Sequence, residues 1–143
     1  MEFKFVAVGS VQHKNGLLVR EALFFKDYSN AQELLFDDFE ENSLHLVAVA
    51  NNKVIGTGRL TVINDLGIIS QMTVLPMFQK QNVGKQILNL LINKSISLKC
   101  SSIELSARVT ALEFYKKYNF IAKGEIYPSK KTGVLHQKMI KVL

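Results

Sequence analysis

The stretch VLPMFQKQNVGKQILNLL, residues 74–91, has the pattern of a strand end, a short polar loop and the start of a long helix. The first turn of a helix leaves its backbone N–H groups without intrahelical partners, and the helix dipole adds roughly half a positive charge there. A polar loop between a strand and a helix can therefore bind an anion such as phosphate. The candidate segment is the loop from Gln79 to Lys85. An ordinary strand–helix connection is the alternative.

This loop holds a single glycine, Gly84, although phosphate-binding loops are usually rich in glycine. Gly84 would let the backbone approach a ligand closely, and Asn82 tolerates the left-handed conformation that a second glycine would otherwise supply. Lys80 and Lys85 add positive charge. The sequence contains no GxxxxGK[ST] motif and no GxGxxG after a strand, so it lacks the two familiar nucleotide-binding loops.

On either side of this loop the hydrophobic pattern changes between helical and strand periodicity. Strands are predicted at 3–8, 44–50, 53–63, 67–75, 102–107, 120–127 and 134–143, and helices at 15–28, 29–42, 82–98 and 110–118. The order β-α-α-β-β-β-α-β-α-β-β indicates a mixed α/β protein built on one sheet. The 143 residues are enough for one domain, residues 1–143, with its own core.

Three local features accompany these elements. The third helix should bury one face, formed by Val83, Ile87, Leu88, Leu91 and Ile92. The first helix shows a stripe of Leu17, Leu18, Ala22 and Phe25. The second helix has a capping-box pattern, with Ser29 as N-cap and Gln32 three residues later, and the NNK turn after residue 50 predicts a tight hairpin.

Composition limits the class of protein. Hydrophobic residues make up 48% of the chain, yet no apolar run reaches the ~18–20 residues of a membrane span. The N-terminus lacks the features of a signal peptide, so we expect a cytoplasmic protein with no membrane partner. The single Cys100 permits no internal disulfide or cysteine metal cluster, and we expect a buried structural thiol.

The net charge of +6 favours anionic partners. The positive residues are dispersed, and the chain lacks the alternation of basic and aromatic residues typical of single-strand binders. A small anion is therefore favoured over nucleic acid. The alternative, a nucleic-acid binder, would show salt-dependent affinity for DNA or RNA.

Two motifs carry a resemblance to the GNAT N-acetyltransferase superfamily. The stretch TVLPMFQKQNVGKQIL is similar to that superfamily's V-x-P-x-x-[RQ]-x-x-G-x-[GA] loop, with Asn82 in place of a glycine. ALEFYKKYNF, residues 111–120, is similar to its A-x-x-F-Y-x-x-x-G-F motif, with Asn119 in place of glycine. The end of the chain, TGVLHQKMIKV, resembles the small ElaA-like branch. The order of the elements also matches, so the resemblance covers nearly the whole chain.

The resemblance implies an acetyl-CoA N-acyltransferase fold, with a mostly antiparallel central sheet that splays at the cofactor strand. It implies direct transfer of an acetyl group from acetyl-CoA to an amine, with no covalent enzyme intermediate and no metal, and it leaves a homodimer open. The cofactor-binding residues it implies are the backbone of Met72, Thr73 and Val74 for pantetheine, the backbone N–H groups of Gln79, Lys80, Gln81, Asn82, Val83, Gly84 and Lys85 for pyrophosphate, and Tyr115.

Tyr115 is the expected proton donor to the departing thiolate, because a phenol is protonated at neutral pH. The alternative is a core aromatic beside Phe114. Adjacent residues on a helix face different directions, so we expect that Phe114 and Tyr115 do not both belong to the core.

The general base is less defined. Ser70 and Gln71 stand where the superfamily often has glutamate. The remaining candidates are His136, whose residue type titrates near neutral pH, and also His45, Asp37 and Asp38. Each has a structural alternative: a strand histidine for the first two and a solvated helix end for the aspartates. Arg108, just after a strand, would contact the cofactor or acceptor, or else be solvated.

No motif names the acceptor, so small amines, amino sugars and protein amines all stay open. The acidic stretch 37–41 would suit a cationic acceptor, although a solvated helix end explains it equally well. A different class of function is a non-catalytic acyl-CoA-binding module.

Overall fold

The computed structural model describes residues 1–143, apart from the side chain of Gln32. One seven-stranded sheet runs through the molecule in the order β1-β2-β3-β4-β5-β7-β6. Its strands are β1 (Glu2–Val6), β2 (Leu44–Ala50), β3 (Lys53–Ile63), β4 (Leu66–Val74), β5 (Ser102–Arg108), β6 (Ile121–Pro128) and β7 (Leu135–Val142). Only the pair β4–β5 is parallel. The predicted mixed, mostly antiparallel α/β sheet is confirmed.

Four α-helices flank this sheet: α1 (Val11–Arg20), α2 (Ala31–Leu35), α3 (Val83–Ser97) and α4 (Leu112–Lys116). A π-helical turn, Glu21–Phe25, extends α1, and 3₁₀ turns at Pro76–Phe78 and Val109–Ala111 precede α3 and α4. Most predicted elements are therefore present within two residues of their predicted bounds. The main differences lie in α1 and α2.

Helix α3 packs its apolar face on the sheet as the sequence predicts. Ile87, Leu88 and Leu91 have no solvent exposure. They join a cluster that includes Leu46 from β2 and Ile103 from β5. Burial of each such aliphatic side chain contributes about 2 kcal/mol, so this face holds α3 firmly on the sheet.

The predicted stripe of α1 is wrong in two positions. Leu18 is 62% exposed and Ala22 is also exposed. The helix begins at Val11, four residues before the predicted start, with the Ser10 hydroxyl oxygen accepting the His13 N–H at 3.2 Å. Its buried face includes two polar side chains, His13 and Arg20, which a search for apolar periodicity passes over.

The second helix is much shorter than predicted, because it ends at Leu35 rather than near residue 42. The Asp37 carboxylate accepts the Phe39 N–H at 3.1 Å, and this local turn competes with continued helix. The chain then turns inward and buries Glu40. The predicted capping box of Ser29 depends on the Gln32 side chain, which lies outside the described part of the structure.

Two smaller predictions, the tight turn after β2 and the buried thiol, are confirmed. Asn51 and Asn52 both have positive φ, 51° and 63°, and form the two-residue turn between β2 and β3. Cys100 is buried. Across the residues that the structure describes, no helix combines the length and the apolar character needed to cross a membrane.

Candidate active site

A wedge-shaped opening separates β4 from β5. The two strands pair only between Leu66–Ile69 and Ser102–Leu105, and then β4 continues to Val74 while β5 continues to Arg108. A bulge in β4 bends the strand at this point, where Gln71 has a positive φ of 55°. The splay predicted for the cofactor strand is therefore present.

A cavity of about 480 Å³ fills this opening. Its walls come from β4, β5, the α1–α2 segment and the β6–β7 hairpin. Four residues predicted from the sequence line it together: Met72, Arg108, Tyr115 and His136. Elements distant in sequence thus bring the candidate acid, the candidate base and part of the cofactor strand to one cleft.

Tyr115 places its hydroxyl group 3.8 Å from the Met72 sulfur on β4. Burial raises the pKa of Tyr115 to about 12, so the phenol is protonated across the neutral range. Phe114 and Tyr115 do not both belong to the buried core, as expected, although both partly buried rings pack against it. The short α4 brings them together edge to face, with ring centroids 5.0 Å apart.

His136 lies on β7 directly opposite Arg108 of β5. Its Nδ1 is 2.7 Å from the Val134 carbonyl oxygen. A carbonyl oxygen only accepts, so Nδ1 carries the proton and, in the neutral ring, Nε2 is left with a lone pair. No partner for Nε2 is found within the described part of the chain. This tautomer suits a general base.

The loop before α3 has the backbone geometry that the sequence predicts. Asn82 has a left-handed φ of 64° immediately before α3, and Lys80 has one of 62°. Asn119, the other glycine replacement, has a φ of 67°. The predicted substitution of asparagine for glycine in the left-handed conformation is confirmed at both positions.

The backbone N–H groups from Lys80 to Lys85, which include those of Gln81 and Val83, have no acceptor in hydrogen-bonding geometry among the described residues. Gln79 differs from them. Its N–H donates to the Pro76 carbonyl oxygen at 3.3 Å, and its side-chain amide donates to the Val74 carbonyl oxygen at 2.9 Å. Gln79 therefore closes the loop, while the following residues offer free donors.

Neither the backbone nor the packing requires glycine at position 84. Gly84 lies inside the first turn of α3 and lacks a positive φ, and a Cβ there would be 3.9 Å from the nearest side-chain atom, in Phe114. An ordinary residue would fit the protein alone. Close approach of a ligand remains as a reason for glycine at this position.

Along β4, backbone groups alternate in direction. The Leu75 N–H donates to the Ile55 carbonyl oxygen in β3 at 2.8 Å, so the N–H of Val74 turns to the opposite side, toward the wedge. The same alternation turns Thr73 back toward β3, where it pairs with Thr57, and Met72 lies on the wedge side, where it lines the cavity. The structure thus brings Val74 and Met72 to the open edge by their backbones, and does not bring Thr73 there.

The strongest polar interactions lie beside this cleft and were not predicted. Glu40 is buried and forms a bidentate pair with Arg20, with both N–O distances 2.9 Å, and a further bond of 2.9 Å with Arg59. His13 Nε2 lies 2.8 Å from the same carboxylate. Burial would raise the pKa of Glu40, but hydrogen bonds from Arg20 and His13 and the positive charge of Arg20 outweigh it and lower the pKa to about 2.

Three of the four candidate bases are placed unfavourably. His45 is buried, its Nε2 donates to the Glu40 carbonyl oxygen at 2.8 Å, and burial lowers its pKa. The Asp37 carboxylate is bound by Arg59 at 2.9 and 3.0 Å and by Lys131 at 3.4 Å. Burial alone would raise the pKa of Asp37, but these positive groups outweigh it and lower the pKa. Asp38 is exposed and does not line the cavity. His136 is the candidate that reaches the cleft.

His13, Glu40 and His45 also have the composition of a metal site, with ligand atoms within 4.8 Å of one another. The ligand atoms of His13 and Glu40 are otherwise engaged, however. His13 Nδ1 accepts the Gly9 N–H at 2.9 Å, and both Glu40 oxygens accept from guanidinium groups. Two arginine charges would also repel a cation. The cluster is therefore a hydrogen-bonded ion-pair network.

Comparison with known proteins places this geometry in context. A family model described as an acetyltransferase (GNAT) domain matches residues 10–143. Bacillus subtilis YjcF, named an uncharacterized N-acetyltransferase, is 28% identical over 138 residues, which cover 95% of this chain and 96% of YjcF.

Two solved structures are similar over nearly their whole length. The crystal structure of Escherichia coli ElaA has a TM-score of 0.79 at 19% identity, covering 98% of both chains. That of an aminoglycoside 6'-N-acetyltransferase complexed with coenzyme A has a TM-score of 0.80 at 14% identity, covering 99% of this chain and 97% of the other. At such low identity these two matches establish a shared fold.

Proposed function

Because this chain belongs to the GNAT acetyltransferase family, we propose that it transfers the acetyl group of acetyl-CoA directly to a primary amine. Family membership makes the protein an acetyltransferase. The donor acetyl-CoA, the amine acceptor and the roles of individual residues are the proposal. Residues 1–143 would act as one catalytic domain.

The observation that carries the cofactor assignment is the row of unpartnered backbone N–H groups from Lys80 to Lys85 at the start of α3. Donors at a helix N-terminus match the oxygens of a pyrophosphate group. The exposed side chains of Lys80 and Lys85 add charge that the same group would attract. The coenzyme A found in the structurally similar aminoglycoside 6'-N-acetyltransferase supports this assignment.

The pantetheine arm would follow β4 into the wedge. The Val74 N–H and the backbone of Met72 face that side and would bond to pantetheine amides in the manner of an added strand. Thr73 would support the arm indirectly, through its pairing with Thr57 of β3. The thioester would then lie in the cavity near Tyr115.

The reaction needs a neutral amine, which attacks the thioester carbonyl carbon. The tetrahedral intermediate collapses with cleavage of the carbon–sulfur bond, and the departing thiolate takes a proton. Tyr115 supplies that proton, since its raised pKa keeps the hydroxyl protonated. His136 Nε2 accepts the proton lost by the amine, directly or through water. Arg108, exposed and 5.5 Å from the Phe24 ring centroid, contacts the acceptor rather than the pyrophosphate loop.

The function and the role of Tyr115 are tested together by amine-dependent release of the CoA thiol from acetyl-CoA. Tyr115→Phe should lower kcat by about 100-fold or more and leave the Kd for acetyl-CoA within about twofold, because it removes the proton donor but keeps the ring. Tyr118→Phe, on the segment after α4 and outside the cavity, is the matched control. Equal turnover of Tyr115→Phe and wild type would return Tyr115 to a packing role. Acetyl-CoA binding without turnover on any amine would indicate a non-catalytic binding module.

Replacement of His136 by glutamine should lower kcat at neutral pH by about 100-fold, the low end of the usual contribution of a positioned base. The loss should shrink toward pH 10, where alkylamines of pKa near ~10 lose their proton without help. A pH profile of kcat for both proteins measures this. If kcat of His136→Gln is lower than that of wild type by the same factor at every pH, His136 has a structural role instead.

A further inference from the structure

The charged side chains that line the cavity are all basic. Arg108, Lys130 and Lys131 contribute to its walls, and no aspartate or glutamate does so among the side chains that the structure describes. Arg108 and Lys130 are exposed, and Lys131 is 35% exposed. A ligand in this cleft therefore meets a positive field with no carboxylate facing it.

The nearby acidic stretch does not reverse this field. Asp37 is bound to Arg59 and Lys131, and Glu40 is buried between Arg20 and Arg59. Asp38 and Glu41 are exposed but lie outside the cavity lining. Residues 37–41 therefore place no free carboxylate in the cleft. This counts against the expectation that the acidic stretch suits a cationic acceptor.

The basic side chains of the cavity come from elements other than the loop that begins α3. Lys130 and Lys131 belong to the β6–β7 connection, far along the chain from the loop that begins α3. The Lys131 ammonium group donates to the Leu34 carbonyl oxygen at 3.0 Å and so anchors this connection to α2. Lys130 is exposed, and the ion pair and hydrogen bonds found for this connection among the described side chains belong to Lys131.

We propose that the acceptor is an amine that also carries an anionic group, a carboxylate or a phosphate, bound in the cleft by Arg108 and Lys130. This inference rests on the proposed acetyl transfer at the same site. The positive field has a second effect that fits the chemistry: nearby positive charge disfavours an ammonium ion, so it lowers the pKa of the bound amine. The cleft thus binds the anion and favours the neutral nucleophile together.

Matched pairs of amines test the proposal. O-phosphoethanolamine is compared with ethanolamine and β-alanine with β-alaninamide, and spermidine serves as a cationic amine. Thiol release gives kcat/KM, and calorimetry on the CoA-saturated protein gives the Kd of each amine. One charge-assisted contact should favour the anionic member of each pair by about 10- to 100-fold in both measurements.

Charge variants assign the effect to the cleft. Lys130→Gln should reduce the preference for the anionic member by about tenfold, the low end for one charge-assisted contact. Lys53→Gln removes another exposed lysine, at the start of β3 and outside the cavity, and should leave that preference unchanged. An equal reduction in both variants would mean that net charge, not the cleft, sets the preference, and would overturn the proposal.

The two readouts separate this inference from the proposed function. Turnover that is equal or faster with ethanolamine, β-alaninamide or spermidine would overturn the inference and keep the acetyltransfer. Selective binding of anionic amines without thiol release would support the charge preference and contradict the acetyltransfer. A preference for succinyl-CoA over acetyl-CoA with neutral amines would mean that the cleft binds an acyl carboxylate, which also overturns the inference.

Discussion

Replacing Gly84 by glutamate is expected to weaken acetyl-CoA binding by at least about 100-fold without lowering the stability of the protein. The new carboxylate would occupy the first turn of α3, where the phosphate groups are proposed to lie, and would oppose them by bulk and by charge. The fold itself should tolerate it. A helical glycine costs about 0.5–1 kcal/mol relative to alanine, and an acidic residue near a helix N-terminus is favourable.

Calorimetry for acetyl-CoA and a thermal unfolding curve measure this pair of effects. Gly84→Ala is the matched variant for size alone, since its Cβ has room beside Phe114. Asn89→Glu places the same charge on an exposed position farther along α3. It should leave binding near wild type. Affinity of Gly84→Glu within about twofold of wild type would refute the phosphate-site assignment, and loss of binding with a lower Tm would point to damaged folding instead.

Replacement of Glu40 by alanine should destabilise the protein by about 3–5 kcal/mol at pH 7, because it leaves Arg20 and Arg59 buried without their shared carboxylate. For a chain of this length that corresponds to a fall in Tm of roughly 10–15 °C. Asp38→Ala, at an exposed acid two residues away, should change stability by less than about 0.5 kcal/mol. Urea unfolding of the two variants beside wild type gives the comparison.

The stability of wild type and Glu40→Ala can also be compared at low pH. The folded-state pKa of Glu40 is about 2, below its ordinary value of 4.5. The carboxylate therefore stabilises the fold fully above about pH 4.5, and its contribution, about 3 kcal/mol from that shift, is lost as the pH falls toward 2. Wild type should lose stability in this window more steeply than Glu40→Ala. A destabilisation below about 1 kcal/mol at pH 7, or equal acid slopes, would mean that the network contributes little.

The difference between the loop and this network shows what the sequence could predict. The loop is local: strand end, polar turn and amphipathic helix follow one another, and the short polar side chains of Asn82 and Asn119 tolerate the positive φ that the turns need. Glu40 depends on partners about 20 residues away on either side, Arg20 and Arg59. No periodicity connects them.

One signal for the network was present in the sequence. Arg59 interrupts the apolar run GTGRLTVI, in the middle of a predicted strand. An arginine at such a position needs a buried anionic partner, but the pattern does not say which acid supplies it. Placement in the ElaA-like branch, read from the end of the chain, likewise stays a prediction, since the match to ElaA establishes the fold alone.

The separation of β4 from β5 has a consequence for solubility. A continuous sheet has two edges, whereas this one has four: β1 and β6 at the rim, and the facing lengths of β4 beyond Ile69 and β5 beyond Leu105 in the interior. Unpaired strand edges invite pairing with other chains. Here the inner edges face each other across the cavity of about 480 Å³, which the α1–α2 segment and the β6–β7 hairpin also line, and we expect these walls to hinder pairing with a second protein chain. The unpaired edges of β4 and β5 therefore stay available to an extended ligand in the cavity but not to a strand of a neighbouring protein.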